Sequence, residues 1–464
     1  MKYRSTRGAA ASVGFLDMLL GGLAPDGGLY APETWPALTA DEIAGFAGRP
    51  YGEVAADIFG RFVGDEIAPD ALRTMCEAAY ANFSHPATTP LRQLAPGRHL
   101  LELFHGPTLA FKDVAMQILA RLYEHALARR GRSLTIVCAT SGDTGGAAVE
   151  AFRGRANIRI VALFPEGRIS EVQRRFMTTA PDDNVRNVAV AGDFDDCQAI
   201  LKTLFQDESF ARSVDLSAVN SINFARIIAQ SVYYFTAAVA LGAPARAVSF
   251  ATPTGNFGDA YAGWVAKRMG LPIERIITAT NSNDIVARAI ETGRYARGAA
   301  VATQSPAMDI QVASNFERLY FECAGRDGDE TRRAFQRFEQ AGALDIPSPV
   351  HDAMRDLLRG ASASEAETAA AMLASWNATG DLVDPHTAVA LTGADKAAVD
   401  PATPLVVLST AHPAKFPEAV NAATGHLPAP PDVVRRLADL PERFDRLAAD
   451  ASAVKAYVRE FVGA

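Results

Sequence analysis

Four short stretches of this chain carry residue types whose spacing points to chemistry. The first is Glu102-Leu103-Phe104-His105-Gly106-Pro107-Thr108-Leu109-Ala110-Phe111-Lys112-Asp113. Here a lysine follows a Gly-Pro turn and stands among the bulky apolar neighbours Leu109, Phe111 and Val114. Desolvation disfavours an ammonium and leaves a nucleophilic amine, the form that makes Schiff bases. The competing reading is an ordinary surface lysine at a helix start, which is the general habit of lysine. The second stretch is Thr140-Ser141-Gly142-Asp143-Thr144-Gly145-Gly146. It reads as a strand end running through glycines into a helix N-terminus, where N–H groups and the helix dipole favour an anion. Ser141 and Thr144 add hydroxyl donors. A capped turn with Asp143 as the cap is an equal alternative on these residues alone.

The third stretch, Thr254-Gly255-Asn256-Phe257-Gly258-Asp259, repeats that logic at another strand end. Its two glycines, three apart, let backbone wrap closely around a phosphate. The fourth, Ser409-Thr410-Ala411-His412-Pro413-Ala414-Lys415-Phe416, offers a hydroxyl at a strand end. Such a hydroxyl can pair with a ring nitrogen, and His412 and Lys415 add two potential anion ligands, although a lone histidine is more often structural. Two further groups are weaker. Asn223 would cap the apolar helix that follows it. Arg168, Arg174 and Arg175 could meet a phosphate or simply form a solvated helix face. Neither glycine turn is G-x-G-x-x-G, and no lysine follows as in a nucleotide-phosphate loop. His85, His99, His125, His351, His386 and His426 show no metal-ligand spacing, so no metal is expected.

Elements that would position these residues alternate along the chain. Apolar runs at residues 134–140, 158–164, 185–191, 247–252, 273–280 and 405–410 are short and lack polar alternation. That suits strands buried on both faces, joined by helices in right-handed crossovers. Ligands of such parallel sheets bind beyond the carboxyl ends of the strands, where the glycine turns stand. Residues 1–90 read as a helical, loop-rich N-terminal domain, and 91–425 as the catalytic region. An Ala-rich helical insertion covers about 325–400, and C-terminal helices occupy 426–464. The expected class is α/β, with two doubly wound parallel-sheet domains plus the N-terminal domain.

Composition narrows the function further. Among 464 residues, 45 Lys and Arg stand against 53 Asp and Glu, a net charge of −8. An acidic surface argues against a nucleic-acid binder. The four cysteines, Cys76, Cys138, Cys197 and Cys323, form no CxxC and suit a reducing compartment. No apolar run approaches the ~20 residues of a membrane span, and the first residues lack the apolar core of a signal peptide. The expectation is a cytoplasmic enzyme acting on a small molecule, without nucleic-acid or membrane partners.

Taken in order, residues 105–113, 140–146, 221–226 (Ser221-Ile222-Asn223-Phe224-Ala225-Arg226), 254–259 and 410–416 resemble the threonine synthase family of fold-type II pyridoxal-phosphate enzymes. The opening Tyr3-Arg4-Ser5-Thr6-Arg7-Gly8 is similar to that family's N-terminal domain. The resemblance covers nearly the whole chain and points to the longer, microbial and fungal branch. It implies pyridoxal 5'-phosphate as cofactor, with Lys112 holding it as a Schiff base and later moving protons. Gly255, Asn256, Phe257 and Asp259 would bind the cofactor phosphate, and Thr410 would bond the pyridine nitrogen. Ser141, Asp143 and Thr144 would face the substrate's carboxylate or phosphate. Asp143 stands where many enzymes of this fold carry asparagine, which leaves its role open. The resemblance assigns no substrate-phosphate ligand; Lys415 and Arg174 are candidates. The implied reaction converts O-phospho-L-homoserine and water to L-threonine and phosphate, the last step of threonine biosynthesis. Two rivals stay open: a dehydratase or β-replacing synthase of the same fold, and a catalytically silent phosphate-binding protein. The sequence leaves the oligomeric state open between monomer and homodimer.

Overall fold

The computed structural model describes residues 1–219 and 221–463. The chain forms two compact units, one from residues 1–105 and 221–428, the other from 106–219 and 429–463.

The first unit is organised on a sheet that has six strands among the described residues. Their spatial order is Leu358–Ser362, Ile273–Thr280, Val248–Pro253, Leu405–Ser409, Arg98–Glu102, Leu91–Ala95. All neighbours are parallel except the last two, which form an antiparallel hairpin. The three apolar runs expected here form three of the four interior strands, Arg98–Glu102 being the fourth. Both faces of these strands are covered, so they carry no polar alternation. The helix Pro385–Lys396 lies on one face: Ala388, Val389 and Leu391 pack with Ala251, Ile277, Ala279 and Val407. Asp384 caps this helix, and Pro385 occupies its first turn, where a missing N–H costs nothing. The helices Phe224–Ala240 and Gly258–Arg268 pack on each other, and Phe224–Ala240 also packs against Tyr51–Val63 of the N-terminal region.

The second unit carries a parallel sheet with five strands among the described residues, ordered Asp445–Ala448, Val185–Ala191, Ile158–Pro165, Leu134–Ala139, Leu216–Ser217. Its core joins Val137, Val161 and Val188 of the strands to Cys197, Ile200 and Leu204 of the helix Phe194–Gln206. Val454 and Val458 of the helix Ala451–Val462 complete that layer.

Several strands lie where the sequence suggested helix or loop. The region 325–400 does hold four helices, from Gly328–Ala341 to Pro385–Lys396, but also the strands Ala343–Asp345 and Leu358–Ser362. Residues 426–464 hold two helices with the strand Asp445–Ala448 between them. Leu358–Ser362 and Asp445–Ala448 are edge strands, and the latter is mostly exposed. Edges tolerate polar residues and short length, so the apolar-run signal is missing from them. No described helix is long and apolar enough to cross a membrane.

The close approach of the helix Pro385–Lys396 to the sheet depends on Gly393. A Cβ there would stand 2.5 Å from the Cβ of Ala279, which has no rotamer to move. Gly393→Ala should therefore lower stability by about 1–3 kcal/mol through overpacking, more than the about 1 kcal/mol that alanine returns in helix propensity. A lower denaturation midpoint for this variant is the expected measurement.

Candidate active site

Lys112 opens the long helix Lys112–Arg130, most of whose first three turns is buried. The turn before it is built by Asp113. Its carboxylate accepts bonds from the Thr108 backbone N–H at 2.8 Å and the Thr108 hydroxyl at 2.7 Å. Gly106 must be glycine for that fold-back, because a Cβ would fall 2.4 Å from the Asp113 Cβ. Leu109 takes a left-handed φ of 60°, a strained conformation for a branched side chain. Strain of this kind persists only where the surroundings over-determine it, and it clusters at functional sites.

The consequence is a buried amine at the positive end of a helix, where the macrodipole opposes a cation. Lys112 is 8% exposed, and its Nζ lies 3.5 Å from Oδ2 of Asp143, itself buried. The other Asp143 oxygen accepts from Gln173 Nε2 at 3.0 Å. Gln173 is fixed in turn, since it closes a capping box with Ser170 at the start of the helix Glu171–Thr178. The surface-lysine reading of Lys112 is thus excluded by its burial. Asp143 departs from the expectation that it faces an anion: its carboxylate is spent on Lys112 and Gln173, and it would repel a phosphate.

The turn at 140–146 is held by Thr140, whose Oγ1 accepts from the N–H groups of Gly142 and Gly145 at 3.0 and 2.8 Å. Gly142 has φ of 127°, and a Cβ on it would strike the Gln173 amide at 2.5 Å. Ser141 and Thr144 are half-buried beside the start of the helix Asp143–Phe152. Thr140 takes two of the turn's amides, those of Gly142 and Gly145.

In the first unit, the loop 254–257 connects the strand Val248–Pro253 to the helix Gly258–Arg268. Phe257 stands before the helix with φ of 63°, again left-handed, and no side chain caps the helix start. Its buried ring packs edge-on to Phe316 at 5.9 Å, which anchors the strained residue. Asn256 is pinned through its backbone carbonyl, which accepts from the backbone and side-chain N–H of Asn315, both at 3.1 Å. The Ser314 hydroxyl donates to the Asn256 side chain at 3.3 Å. Behind Asn315 lies Arg318, fully buried without a carboxylate partner in its hydrogen bonds; its guanidinium donates to Asn315 and to the carbonyls of Tyr30 and Ile222. Burial pulls this guanidinium down to about 10. At Gly255 a Cβ would come within 2.8 Å of the Ala307 carbonyl, so the loop is pressed against a second segment.

Asp259 follows in the first helical turn, and its carboxyl faces two tyrosines. The hydroxyls of Tyr233 and Tyr234 both donate to Oδ1, the latter at 3.1 Å, while Oδ2 has no hydrogen-bond partner. Full burial, only partly offset by the tyrosines, raises this acid to about 7.

Thr410 and Lys415 lie just beyond the strand Leu405–Ser409, both buried. His412, considered from sequence as an anion ligand, has no positive charge to offer one. Its Nδ1 accepts from the Ala414 N–H at 3.1 Å, and burial with nearby His105 pulls it down to about 4. It is therefore neutral near pH 7. Arg174 is likewise committed: it makes a two-pronged ion pair with Glu442 at 2.8 and 2.9 Å. Asn223 does cap its helix, accepting from the Ala225 N–H at 3.1 Å.

Sequence reasoning missed Thr140, Gln173, Ser314, Asn315 and Arg318. The Ser170–Gln173 pair was readable as a capping-box pattern. Nothing local marks Ser314 or Asn315, which act on a loop some 58 residues earlier in the chain.

These residues fit pyridoxal phosphate. A buried lysine at a constrained turn suits the aldehyde carbon, and an uncapped helix start behind a glycine loop suits a phosphate. Among the described residues no group of three or more His, Cys, Asp or Glu could hold a metal ion.

Asp259 gives this site a pH signature. Between its unfolded value of 3.8 and its folded value of about 7, the native protein binds a proton that the unfolded chain lacks. Its contribution to stability is therefore full below about pH 4 and falls as pH rises to about 7, by at most about 1.4 kcal/mol per pH unit. Asp259→Asn in the cofactor-free protein should flatten that part of the melting-temperature profile.

Comparison with known proteins agrees with the geometry. The model for the threonine synthase N terminus matches residues 2–80, that for pyridoxal-phosphate dependent enzymes matches 85–410, and that for the threonine synthase C-terminal region matches 387–458. The threonine synthase of Pseudomonas aeruginosa is 47% identical, over 99% of this chain and 98% of its own. The structure of pyridoxal-phosphate-bound threonine synthase from Brucella melitensis superposes with a TM-score of 0.98 at 50% identity, covering 100% of both chains. Yeast threonine synthase superposes with a TM-score of 0.94 at 36% identity, over 100% of this chain and 99% of that one. The chain belongs to the threonine synthase family, pyridoxal-phosphate-dependent lyases of fold type II.

Proposed function

We propose that this chain converts O-phospho-L-homoserine and water to L-threonine and phosphate, the last step of threonine biosynthesis, and that Lys112 carries both the cofactor linkage and the proton transfers. The observation behind the assignment of Lys112 is its buried amine at a helix N-terminus, held against Asp143 by a turn with a strained leucine. When bound, pyridoxal phosphate supplies an electron sink for negative charge developing beside the substrate's amino carbon.

The chain's own residues divide the remaining work. The Lys112 amine takes the proton from Cα and returns protons later in the cycle, as a positioned base and acid. Asp143 accepts from that amine and fixes its direction. The backbone of Gly255, Asn256 and Phe257 holds the cofactor phosphate, and Asp259 steadies that loop from the helix through Tyr233 and Tyr234. Thr410 bonds the ring nitrogen with a neutral hydroxyl. Ser141 and Thr144 donate to the substrate carboxylate, and Lys415 offers a positive charge for the phosphate that leaves Cγ. Water must reach Cβ only after that departure, so the site has to exclude it earlier.

The compartment we assign is the cytoplasm. Cys76, Cys138, Cys197 and Cys323 are free, and burial pushes all four thiols up to about 12. Such thiols are poorly reactive, and no disulfide is needed.

A steady-state assay with O-phospho-L-homoserine should release phosphate and threonine in equal amounts. Lys112→Ala should lower turnover by about a thousandfold or more. Ammonia release from threonine or serine without phosphate chemistry would favour the dehydratase. Ligand binding without turnover in the parent protein would favour the silent binding protein.

A further inference from the structure

The helix Pro385–Lys396 begins with a buried polar knot that no expectation above used. Asp384, Thr387, His386 and Ser409 are each at most 4% exposed. One oxygen of Asp384 accepts from the His386 backbone N–H and from His386 Nδ1, both at 2.9 Å. The other accepts from the Thr387 N–H at 3.3 Å and from the Thr387 hydroxyl. A buried carboxylate with four donors and no cationic partner among these bonds is an expensive construction. It is retained where it fixes several groups at once.

Three segments meet there. The Thr387 hydroxyl spends its proton on Asp384, so its lone pair accepts from Ser409 Oγ at 2.9 Å. Ser409 ends its strand, and its carbonyl accepts from the Leu103 N–H at 2.9 Å. Thr410 is the next residue, so the bonds that fix Ser409 fix the backbone from which Thr410 projects. His386 Nε2 accepts from the Ala307 N–H at 3.3 Å, which places the imidazole proton on Nδ1. Ala307 is the residue whose carbonyl confines Gly255. The His386 ring also packs on Phe416, next to Lys415, at 5.0 Å.

We propose that Asp384 is the positioning residue of the cofactor cradle in the first unit, setting Thr410 through Thr387 and Ser409, and Gly255 through His386 and Ala307. Asp384 touches no reacting atom. It orients the hydroxyl that meets the ring nitrogen and the wall against which the phosphate loop is pressed. The inference rests on the proposed function above.

Thr387 allows the sharper test, because Thr387→Val keeps the shape and removes only the bridging hydroxyl, while Thr387→Ser restores it. Pyridoxal phosphate is titrated into cofactor-free wild type, Thr387→Val, Thr387→Ser and Asp384→Asn, reading affinity and the absorption band of the bound cofactor. Steady-state constants are measured on the loaded enzymes. Asp384→Asn leaves a buried donor facing a donor and should weaken cofactor binding about tenfold or more. Thr387→Val should shift the band and lower kcat about tenfold with KM unchanged within about twofold, and Thr387→Ser should return both. A purely structural knot would lower only the melting temperature of the cofactor-free protein. If Asp384→Asn does not fold, the Thr387 pair decides alone. A Thr387→Val enzyme with wild-type affinity, band and kcat overturns the proposal and leaves the function standing. A wild type that binds no pyridoxal phosphate overturns both.

Discussion

The structure depends on holding one amine out of water, at the start of a helix and beside a carboxylate. Lys112 sits at the start of a helix, out of water, with Asp143 as its charged neighbour. An ammonium placed at a helix N-terminus meets an unfavourable dipole, and a buried ion pair returns its desolvation cost only with good geometry. Here the separation is 3.5 Å, longer than a strong charge-assisted bond. The arrangement is thus poor as a stabilising salt bridge and well suited to an amine that must leave its partner and react. The Asp113 fold-back, the strained Leu109 and the clamped Gln173 all serve to hold that one group in place.

The same economy recurs in the first unit. Phe257, like Leu109, is a large residue in left-handed backbone, and it stands immediately before a helix that no side chain caps. Elsewhere in the molecule helices begin with capping boxes at Thr39, Ser170, Asp193 and Ser364. Leaving a helix start uncapped keeps its N–H groups for a ligand, and the strain at Phe257 is offset by burying its ring beside Phe316. The buried acids divide by partner type. Asp113 and Asp384 collect several donors each, whereas Asp259 has one oxygen without a partner, and full burial pushes it up to about 7.

Much of this was legible in the chain. The interior strands Ile273–Thr280 and Val185–Ala191 coincide with apolar runs, because a strand buried on both faces needs no alternation. The Gly142 and Gly255 turns were visible as Gly-rich breaks at strand ends, and the Lys112 turn by its Gly-Pro pair. What stayed hidden has two physical causes. Edge strands such as Leu358–Ser362 and Asp445–Ala448 need little burial and leave no apolar signature. Supporting contacts such as Asn315 on Asn256, or Thr387 on Ser409, join residues far apart in sequence, so their polar side chains look like surface residues until the fold brings them together. His412 and Arg174 each left two readings open for a related reason. A side chain's charge and availability depend on its partners, and a neutral capping imidazole and a glutamate-bound guanidinium read identically to anion ligands in the sequence.

The most direct test is to reduce the cofactor-loaded protein with borohydride and map the modified peptide by mass. The account predicts a single pyridoxyl-phosphate adduct on Lys112. An adduct on a different lysine, or none on the peptide that contains Lys112, would contradict it.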